Sequence, residues 1–197
     1  MPDRVTTPED GHDPDLEALR AAAAGDAAAC RRLVDRHLRP LHAYATRILD
    51  DAGEAEDVCQ EAFVKLWQFA PRWTPGRAKV STWLYQVALN ACRDRQRRRR
   101  PDSGADPDAL QAATPGPAAL HASTQTGERV QAALARLPAR QREALLLFHF
   151  EGHSQAETAA VLEVSVDALE SLLARARRTL RDWLADDAPS AEDGATT

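Results

Sequence analysis

One stretch of the sequence carries side chains suited to nucleic-acid recognition. An aromatic ring, two amides and two guanidiniums recur there at intervals that fall on one face of a helix: Trp83, Gln86, Asn90, Arg93 and Arg97. Rings of this kind stack on bases, amides hydrogen-bond base edges, and guanidiniums bind phosphates. A separate apolar stripe (Leu84, Val87, Ala88, Ala91) supplies the packing face of the same helix. The polar stripe is therefore predicted to bind nucleic acid.

The segment before this helix adds further aromatic and basic groups. Residues 71–80 contain two prolines and a glycine, which predict a loop, and this loop carries Trp73, Arg77 and Lys79. An aromatic and basic loop suits a flipped-out or single-stranded base. The alternative is an ordinary helix connector in which Trp73 covers the core.

Charge is sorted by region along the chain. The whole sequence has a formal net charge of −5, yet residues 72–100 hold nine Lys and Arg residues against one acid, Asp94. A local positive region of this kind indicates a nucleic-acid contact and does not require a basic protein overall.

An acidic helix is predicted just before the loop, over residues 56–70. Its core-facing stripe is Cys59, Phe63, Leu66, Trp67 and Ala70. Its outward face carries Asp57, Gln60 and Glu61, in a stretch where residues 50–61 hold six acids and no Lys or Arg. Carboxylates in a first helical turn gain about 0.3–1 kcal/mol from the helix dipole. The acids are therefore explained either by helix stabilisation or by a binding surface.

Two motifs in this region resemble region 2 of the extracytoplasmic-function (ECF) sigma factors, the small promoter-recognition subunits of bacterial RNA polymerase. The motifs are AEDVCQEAFVKLW at 55–67 and VSTWLYQVALNACRD at 80–94, followed by an arginine cluster. The resemblance implies that Asp57, Gln60 and Glu61 bind the β′ clamp of core RNA polymerase. It implies that Asn90 and the loop bind an unpaired minus-ten base. It also implies that Trp83 lies at the edge of the melted DNA and that the arginine run binds backbone phosphates. The implied minus-ten set is Trp73, Arg77, Lys79, Trp83, Gln86, Asn90, Arg93 and Arg97.

A helix-turn-helix unit is predicted near the C-terminal end. Ser154 and Glu157 form a capping box before a helix at 155–162, and a turn at 163–164 leads to a second helix that is capped by Ser165 and runs to about residue 184. The buried stripe predicted for the last helix is Val166, Leu169, Leu173, Ala176, Leu180 and Trp183. Its outward stripe, suited to the DNA major groove, is Asp167, Ser171, Arg175 and Arg178.

The motif LPARQREALLLFHFEGHSQAETAAVLEVS at 137–165 resembles region 4 of the same family. This implies that the outward stripe reads the minus-thirty-five promoter element and that the domain docks on the β flap. Two departures stand out: the family often has basic residues where this chain has Glu170 and Leu172, and a glycine where it has Glu163. The effect of Glu170 and Leu172 on recognition is left open.

Length and composition predict an all-α fold with two small helical domains joined by a flexible linker. The 197 residues are rich in Ala and 44% hydrophobic. The predicted order is a disordered arm at 1–14, a first domain at 15–100, a linker at 101–127, a second domain at 128–186 and a tail at 187–197. Further predicted helices are 16–24, 26–38, 41–49, 128–137 and 140–150.

Several classes of site are excluded by the sequence. There is no Gly-rich phosphate loop, nucleophile elbow or paired catalytic carboxylate motif, so no enzyme activity and no cofactor are predicted. His37 with His42, and His149 with His153, lack further ligands, so no metal site is predicted. Cys30, Cys59 and Cys92 are interpreted as reduced thiols, with redox sensing left open.

The predicted location is the cytoplasm, because no apolar run reaches the roughly 18 residues of a membrane span and no signal sequence is visible. The predicted partners are core RNA polymerase (β′ clamp and β flap), promoter DNA and an anti-sigma factor, the last by resemblance only, with no membrane insertion. Two rival interpretations are a sigma-like decoy that binds an anti-sigma factor without DNA, and a helix-turn-helix repressor that uses only residues from 128 on.

Overall fold

The structure, a computed structural model, describes residues 13–76, 78–99, 125–150 and 152–186. Every regular element in these ranges is a helix, as the all-α prediction expects. The elements are α1 (Leu16–Ala23), α2 (Ala27–Leu49), α3 (Ala52–Phe69), a one-turn 3-10 helix (Ala70–Arg72), α4 (Val80–Arg99), α5 (Gln125–Ala135), α6 (Ala139–Phe150), α7 (Gln155–Leu162) and α8 (Val166–Asp186). Residues 1–12 of the predicted arm, 101–124 of the predicted linker and the predicted tail at 187–197 lie outside the described residues, as do Arg77, Arg100 and Glu151. Residues 125–127, predicted as the end of the linker, belong to α5 instead.

Helices α1 to α4 pack around one apolar core that includes Leu33, Leu66 and Leu84. Aspartates begin two of these helices. The Asp26 carboxylate accepts hydrogen bonds from the N–H groups of Ala28 (2.8 Å) and Ala29 (3.2 Å), and the Asp51 carboxylate accepts one from Glu54 (2.9 Å). These caps satisfy backbone donors that a helix start leaves without partners.

Helix α2 is longer than the sequence predicts. Separate helices at 26–38 and 41–49 are expected, but α2 is continuous and contains Pro40. An interior proline costs a helix about 3 kcal/mol, because it removes one backbone donor and crowds the preceding turn. Leu33 and Leu41, on either side of the proline, are both at most 1% exposed. Their burial in the common core offsets the local cost and keeps the helix intact.

Helices α6 to α8 form a second group that contains the helix-turn-helix. The predicted capping box is confirmed, since Ser154 and Glu157 each satisfy the other's backbone N–H. The turn residue Glu163 adopts a left-handed conformation (φ 58°). Leu169, Leu173 and Ala176 of α8 are buried as predicted.

Four positions of α8 differ from the prediction. Leu180 and Trp183 of the predicted buried stripe are half-buried. Val166 of the same stripe is the first residue of the helix and is 39% exposed. Leu172 is only 7% exposed and belongs to the core. A basic side chain at this position would be buried without solvent, which accounts for the leucine.

The two groups of helices pack against each other, with α4 against α7 and α2 against α6.

The first group also begins earlier in the chain than the predicted arm allows. Asp13 falls inside the expected arm at 1–14, yet it is 8% exposed and bonded to the start of α4. The packing of the second group on α4 decides which of the predicted site residues are accessible.

Candidate nucleic-acid interface

The acidic face of α3 is separate from its packing face. Cys59 and Leu66 point into the core, whereas Asp57 and Gln60 are exposed. Glu61 is half-buried and lies 2.7 Å from the Lys65 amino group and 3.3 Å from the Arg95 guanidinium. Its hydrogen bond from Lys65, followed by that from Arg95, holds the pKa of Glu61 below its usual range. The negative charge of Glu61 is thus partly compensated by two cations, whereas the Asp57 carboxylate is exposed at the surface.

Sequence reasoning missed an apolar residue on the same face. Val64 is 52% exposed and follows Asp57 by seven residues, so both lie on one side of α3. Seven-residue spacing from Asp57 could have identified it. An apolar side chain beside carboxylates makes this face better suited to a protein partner than to solvent alone.

Three aromatic residues cluster where the loop meets α4. The Phe69 and Trp83 rings are stacked, with centroids 5.6 Å apart and planes at 6°. Trp73 packs edge-on against both, at 5.9 Å from Phe69 and 6.1 Å from Trp83. Phe69, which the sequence interpretation left out, is 38% exposed and extends the predicted pair into a partly open aromatic surface. Such a surface can stack on a base, and it also packs on the core as the alternative interpretation of Trp73 expects.

The polar stripe of α4 is divided by the second group of helices. Asn90 and Arg97 are exposed. Gln86 donates a 2.6 Å hydrogen bond to Glu163, in the helix-turn-helix turn. Arg93 donates two hydrogen bonds to the Glu143 carboxylate of α6, at 3.1 and 2.7 Å, and the Glu143 side chain is only 3% exposed. The two covered residues therefore already bind carboxylates within the chain.

The charge of Arg93 is maintained despite its half-burial. Burial lowers the pKa of an arginine, but the hydrogen bonds and charge of Glu143 outweigh it and raise the pKa of Arg93 above its usual value. A guanidinium that donates two hydrogen bonds to a buried carboxylate makes a strong, directional contact.

The loop is also in contact with the second group. The Lys79 amino group lies 2.7 Å from the Glu157 carboxylate. Burial raises the pKa of Glu157, but the bonds from Lys79 and Ser154 outweigh this effect and lower it to about 2. Next to this pair, the His153 ring packs edge-on against Tyr85 at 4.7 Å.

The arginines at the end of α4 have different roles. Arg97 is exposed and pairs with Asp94 one turn earlier. Arg99 instead ties α4 to the start of α3, because its guanidinium lies 3.2 Å from Asp51 and 2.8 Å from Glu54. Arg97 is thus better placed than Arg99 to contact a phosphate.

All four residues of the predicted outward stripe of α8 are exposed: Asp167, Ser171, Arg175 and Arg178. Glu170 is exposed beside them, whereas Leu172 is buried and so does not belong to this surface. The stripe has the position that a recognition helix requires, on the second helix of a helix-turn-helix.

The histidines and cysteines have structural contacts. His37 lies 2.7 Å from Asp15, His42 lies 3.3 Å from the Ala52 carbonyl, and His149 lies near Arg177. In the ranges that the structure covers, no three His, Cys, Asp or Glu side chains are grouped as metal ligands.

Burial raises the pKa of the Cys59 thiol to about 11 and that of Cys92 to about 12. These two thiols are therefore poor nucleophiles at neutral pH. None of the described helices has the length and apolarity to cross a membrane.

Comparison with known proteins matches both halves of the chain to known sequence families. Residues 33–101 match sigma-70 region 2, and residues 127–180 match sigma-70 region 4. The ECF RNA polymerase sigma factor SigM of Mycobacterium tuberculosis H37Rv is 37% identical over 166 residues, which cover 84% of this chain and 82% of SigM. SigW of Bacillus subtilis is 28% identical, over 85% of this chain and 95% of SigW.

Two solved structures share the fold of this chain. CnrH, determined in complex with the cytosolic domain of CnrY, superposes with a TM-score of 0.69 at 30% identity and covers 91% of this chain and 100% of its own. The sigma factor RpoE of Bartonella quintana, in complex with the anti-sigma factor NepR, superposes with a TM-score of 0.62 at 24% identity over 80% of this chain and 97% of its own, and supports the fold.

Proposed function

Since this chain belongs to the ECF sigma factors, which direct bacterial RNA polymerase to promoters, we propose how its surfaces divide that task. The exposed face of α3 binds core polymerase. The aromatic cluster and the polar stripe of α4 bind the minus-ten region, and the outward stripe of α8 binds the minus-thirty-five region. Sigma factors are regulatory subunits, and this one supplies binding energy and specificity while core polymerase supplies the chemistry.

The proposal rests mainly on one observation: the acidic side of α3 is exposed and takes no part in packing the core. Asp57, Gln60 and Val64 lie on one side of the helix and are exposed, while the opposite side packs inward. Acidic residues around an exposed apolar side chain suit a basic protein surface with an apolar centre. The β′ clamp is the proposed partner surface, and Glu61 contributes less than Asp57 because Lys65 and Arg95 already bind it.

At the minus-ten element, exposed and covered residues have different proposed roles. Asn90 is the proposed base reader, because an amide can donate to and accept from a base edge at once. Trp73, Trp83 and Phe69 supply the stacking surface at the edge of the melted DNA. Lys79, Gln86, Arg93 and Arg97 are proposed to bind DNA once their present contacts are exchanged for it.

At the minus-thirty-five element, Arg175 and Arg178 are the proposed contacts to guanine edges or phosphates, with Ser171 and Asp167 beside them. The same domain is proposed to dock on the β flap. An anti-sigma factor is a further proposed partner, in keeping with CnrH, whose solved structure is a complex with the cytosolic domain of CnrY. Core polymerase and promoters share the bacterial cytoplasm, and the protein is proposed to act there.

Binding to core polymerase is the first test. The protein, mixed with bacterial core RNA polymerase, is expected to comigrate with it and to support run-off transcription from a library of candidate promoters. Asp57→Arg is expected to weaken binding to core by at least about tenfold, because it places a cation on the acidic face. Asp35→Arg, a matched reversal at an exposed position of α2, serves as the control. Equal binding of both variants would contradict the assignment of the α3 face.

A further inference from the structure

We propose that Asp13 is a positioning residue for minus-ten recognition: its buried carboxylate fixes the end of the loop that precedes α4. The inference deepens the proposed function, because it takes this loop and Asn90 as the minus-ten site. Asp13 itself does not touch DNA in the proposal. It acts through the backbone that carries Lys79 and the first turn of α4.

The central contact joins residues that are 67 positions apart in sequence. The Asp13 carboxylate accepts a 2.8 Å hydrogen bond from the backbone N–H of Val80, the first residue of α4. Its second oxygen accepts a 3.0 Å bond from the N–H of Asp15. Asp13 is 8% exposed and Val80 is fully buried, so water cannot replace these bonds freely. The carboxylate thus serves as a long-range cap for α4, at the end where the helix dipole favours a negative charge.

Asp15, whose backbone N–H bonds to Asp13, is itself held in place through its own buried carboxylate. Asp15 is 2% exposed, pairs with the Arg36 guanidinium and lies 2.7 Å from the His37 ring, both in α2. Burial by itself raises the pKa of Asp15, but His37 and Arg36 outweigh it and lower the pKa below its usual value. The short segment before α1 is therefore anchored to α2 on one side and to α4 on the other.

This anchoring matters because the loop residues that the structure describes have few other fixed points within the first group of helices. Trp73 holds its first end in the aromatic cluster. Thr74, Pro75 and Gly76 are exposed, and Gly76 has a positive φ of 82° that forms a turn. Lys79 binds Glu157, which belongs to the second group of helices. The bond from Val80 to Asp13, by contrast, lies within the first group and persists when the second group moves away.

The consequence is a defined geometry for base capture. If the end of the loop is fixed, Lys79 and the first turn of α4 keep their position relative to Asn90, and an unpaired base meets a preorganised site. If it is released, DNA binding continues through the arginines, but the correct base loses part of its advantage. Asp13 therefore contributes to discrimination between minus-ten bases more than to total affinity.

The test compares Asp13→Ala with Asp13→Asn in the full chain bound to core polymerase. Affinities are measured for a fork-junction promoter with the preferred minus-ten base and with each substituted base. Asp13→Ala is expected to reduce the ratio of these affinities by about tenfold, because the bonds from the Val80 and Asp15 N–H groups are both lost. Asp13→Asn keeps one acceptor oxygen for two N–H donors, so it is expected to cause a smaller loss of about threefold. Affinity for core polymerase is expected to be unchanged in both.

Asp26→Ala is the matched control, because Asp26 caps α2 away from the loop. It is expected to lower the thermal midpoint without changing the base ratio. Where Asp13→Ala does not fold, Asp13→Glu replaces it, since the longer side chain keeps the charge but displaces the acceptor. The proposal is overturned if Asp13 variants change thermal stability and total affinity but leave the base ratio intact.

Asn90→Ala separates this inference from the proposed function. A loss of base discrimination in Asn90→Ala without any loss in Asp13→Ala would reject the positioning role alone. Unchanged discrimination in both variants would reject the minus-ten site itself.

Discussion

Asn90 and Arg97 lie two turns apart on the same exposed side of α4, but they carry different chemistry. An amide can read a base edge, whereas an exposed arginine that pairs with nearby Asp94 is suited to a phosphate. Asn90→Ala is therefore expected to weaken binding to promoters with the preferred minus-ten base by about 1–3 kcal/mol and to leave substituted promoters nearly unaffected. Affinity measurements on a panel of minus-ten variants test this.

Arg97→Ala should instead weaken all promoters alike and reduce the salt dependence of binding by about one phosphate contact. Arg99→Ala is less informative as a comparison, because Arg99 joins α4 to α3 through Asp51 and Glu54. These roles would be contradicted if Arg97→Ala lost affinity for some minus-ten bases only, or if Asn90→Ala lost affinity equally for all promoters.

His153 predicts how stability depends on pH. Burial, together with nearby Lys79 and His37, lowers the pKa of His153 below 6.5, and the attraction of Glu157 only partly opposes this. The unfolded chain therefore binds the proton more readily than the folded chain. The contribution of neutral His153 is fully present above pH 6.5 and decreases as the pH falls through and below that value.

His153→Gln is thus expected to flatten the change in the free energy of unfolding between pH 7.5 and 5.5, relative to the unmodified protein. Urea denaturation at both pH values gives the comparison, with His149→Gln at an exposed position as the control. A pH dependence that is identical in the two variants would assign the effect to other groups.

At the level of single residues, the sequence predicts surface exposure better than pairing. Asn90, Arg97 and the α8 stripe are exposed as helical periodicity indicates, because their own helices determine which way they face. Gln86 and Arg93 satisfy the same periodicity, but glutamates from the second group bind them. Asp13 lies in a polar, proline-containing stretch that predicts disorder. No local sequence pattern reveals that Arg93 has a partner 50 residues away or that Asp13 has one 67 residues away.

Among the structural elements, the turn of the helix-turn-helix departs most clearly from local preference. Glu163 has a left-handed φ of 58°, a conformation that costs a residue with a side chain about 1–2 kcal/mol and costs glycine almost nothing. Glu163→Gly is therefore expected to stabilise the chain by about 1 kcal/mol relative to Glu163→Ala. Both variants lose the bond to Gln86, so the difference between them isolates the backbone strain. Equal denaturation midpoints for the two variants would show that the turn is not strained.

The remaining elements show where helix signals are reliable. The Ser154 capping box and the break at Gly25 are local, and the structure has them where the sequence indicates. The continuity of α2 through Pro40 could not be predicted, because it depends on the burial of Leu33, Leu41 and their neighbours in a core that helices from elsewhere in the chain complete. Tertiary packing outweighs propensity at that position.

For the whole molecule, the contacts between the two groups of helices have a common character. Three glutamates of the second group bind DNA-binding candidates of the first: Glu143 binds Arg93, Glu157 binds Lys79, and Glu163 binds Gln86. A carboxylate and a phosphate compete for the same donors. The Nε and one Nη group of Arg93 are bonded to Glu143, so this edge of the guanidinium is not available to DNA in this arrangement. Use of these residues at a promoter therefore requires the two groups to separate.

Neutralising the three glutamates should favour that separation. The triple variant Glu143→Gln, Glu157→Gln and Glu163→Gln removes the charged partners of Arg93 and Lys79, and it is expected to increase the radius of gyration in small-angle X-ray scattering. Its affinity for a fork-junction promoter at low salt should rise by about tenfold or more, because less free energy is then spent on separating the two groups before DNA binds.

The control must account for the change in net charge, since removing any three acids reduces repulsion from DNA. Glu17→Gln, Asp35→Asn and Glu56→Gln neutralise three exposed acids outside the contacts between the two groups and outside the proposed DNA-binding surfaces. This control is expected to keep the compact radius and to gain affinity only through charge, with a gain that disappears at high salt. The triple interface variant should retain part of its advantage at high salt, because opening the molecule exposes Arg93 and Gln86 as well as changing charge. If both triple variants gain equally at every salt concentration, the three glutamates act only through net charge, and the contacts between the two groups of helices do not limit promoter binding.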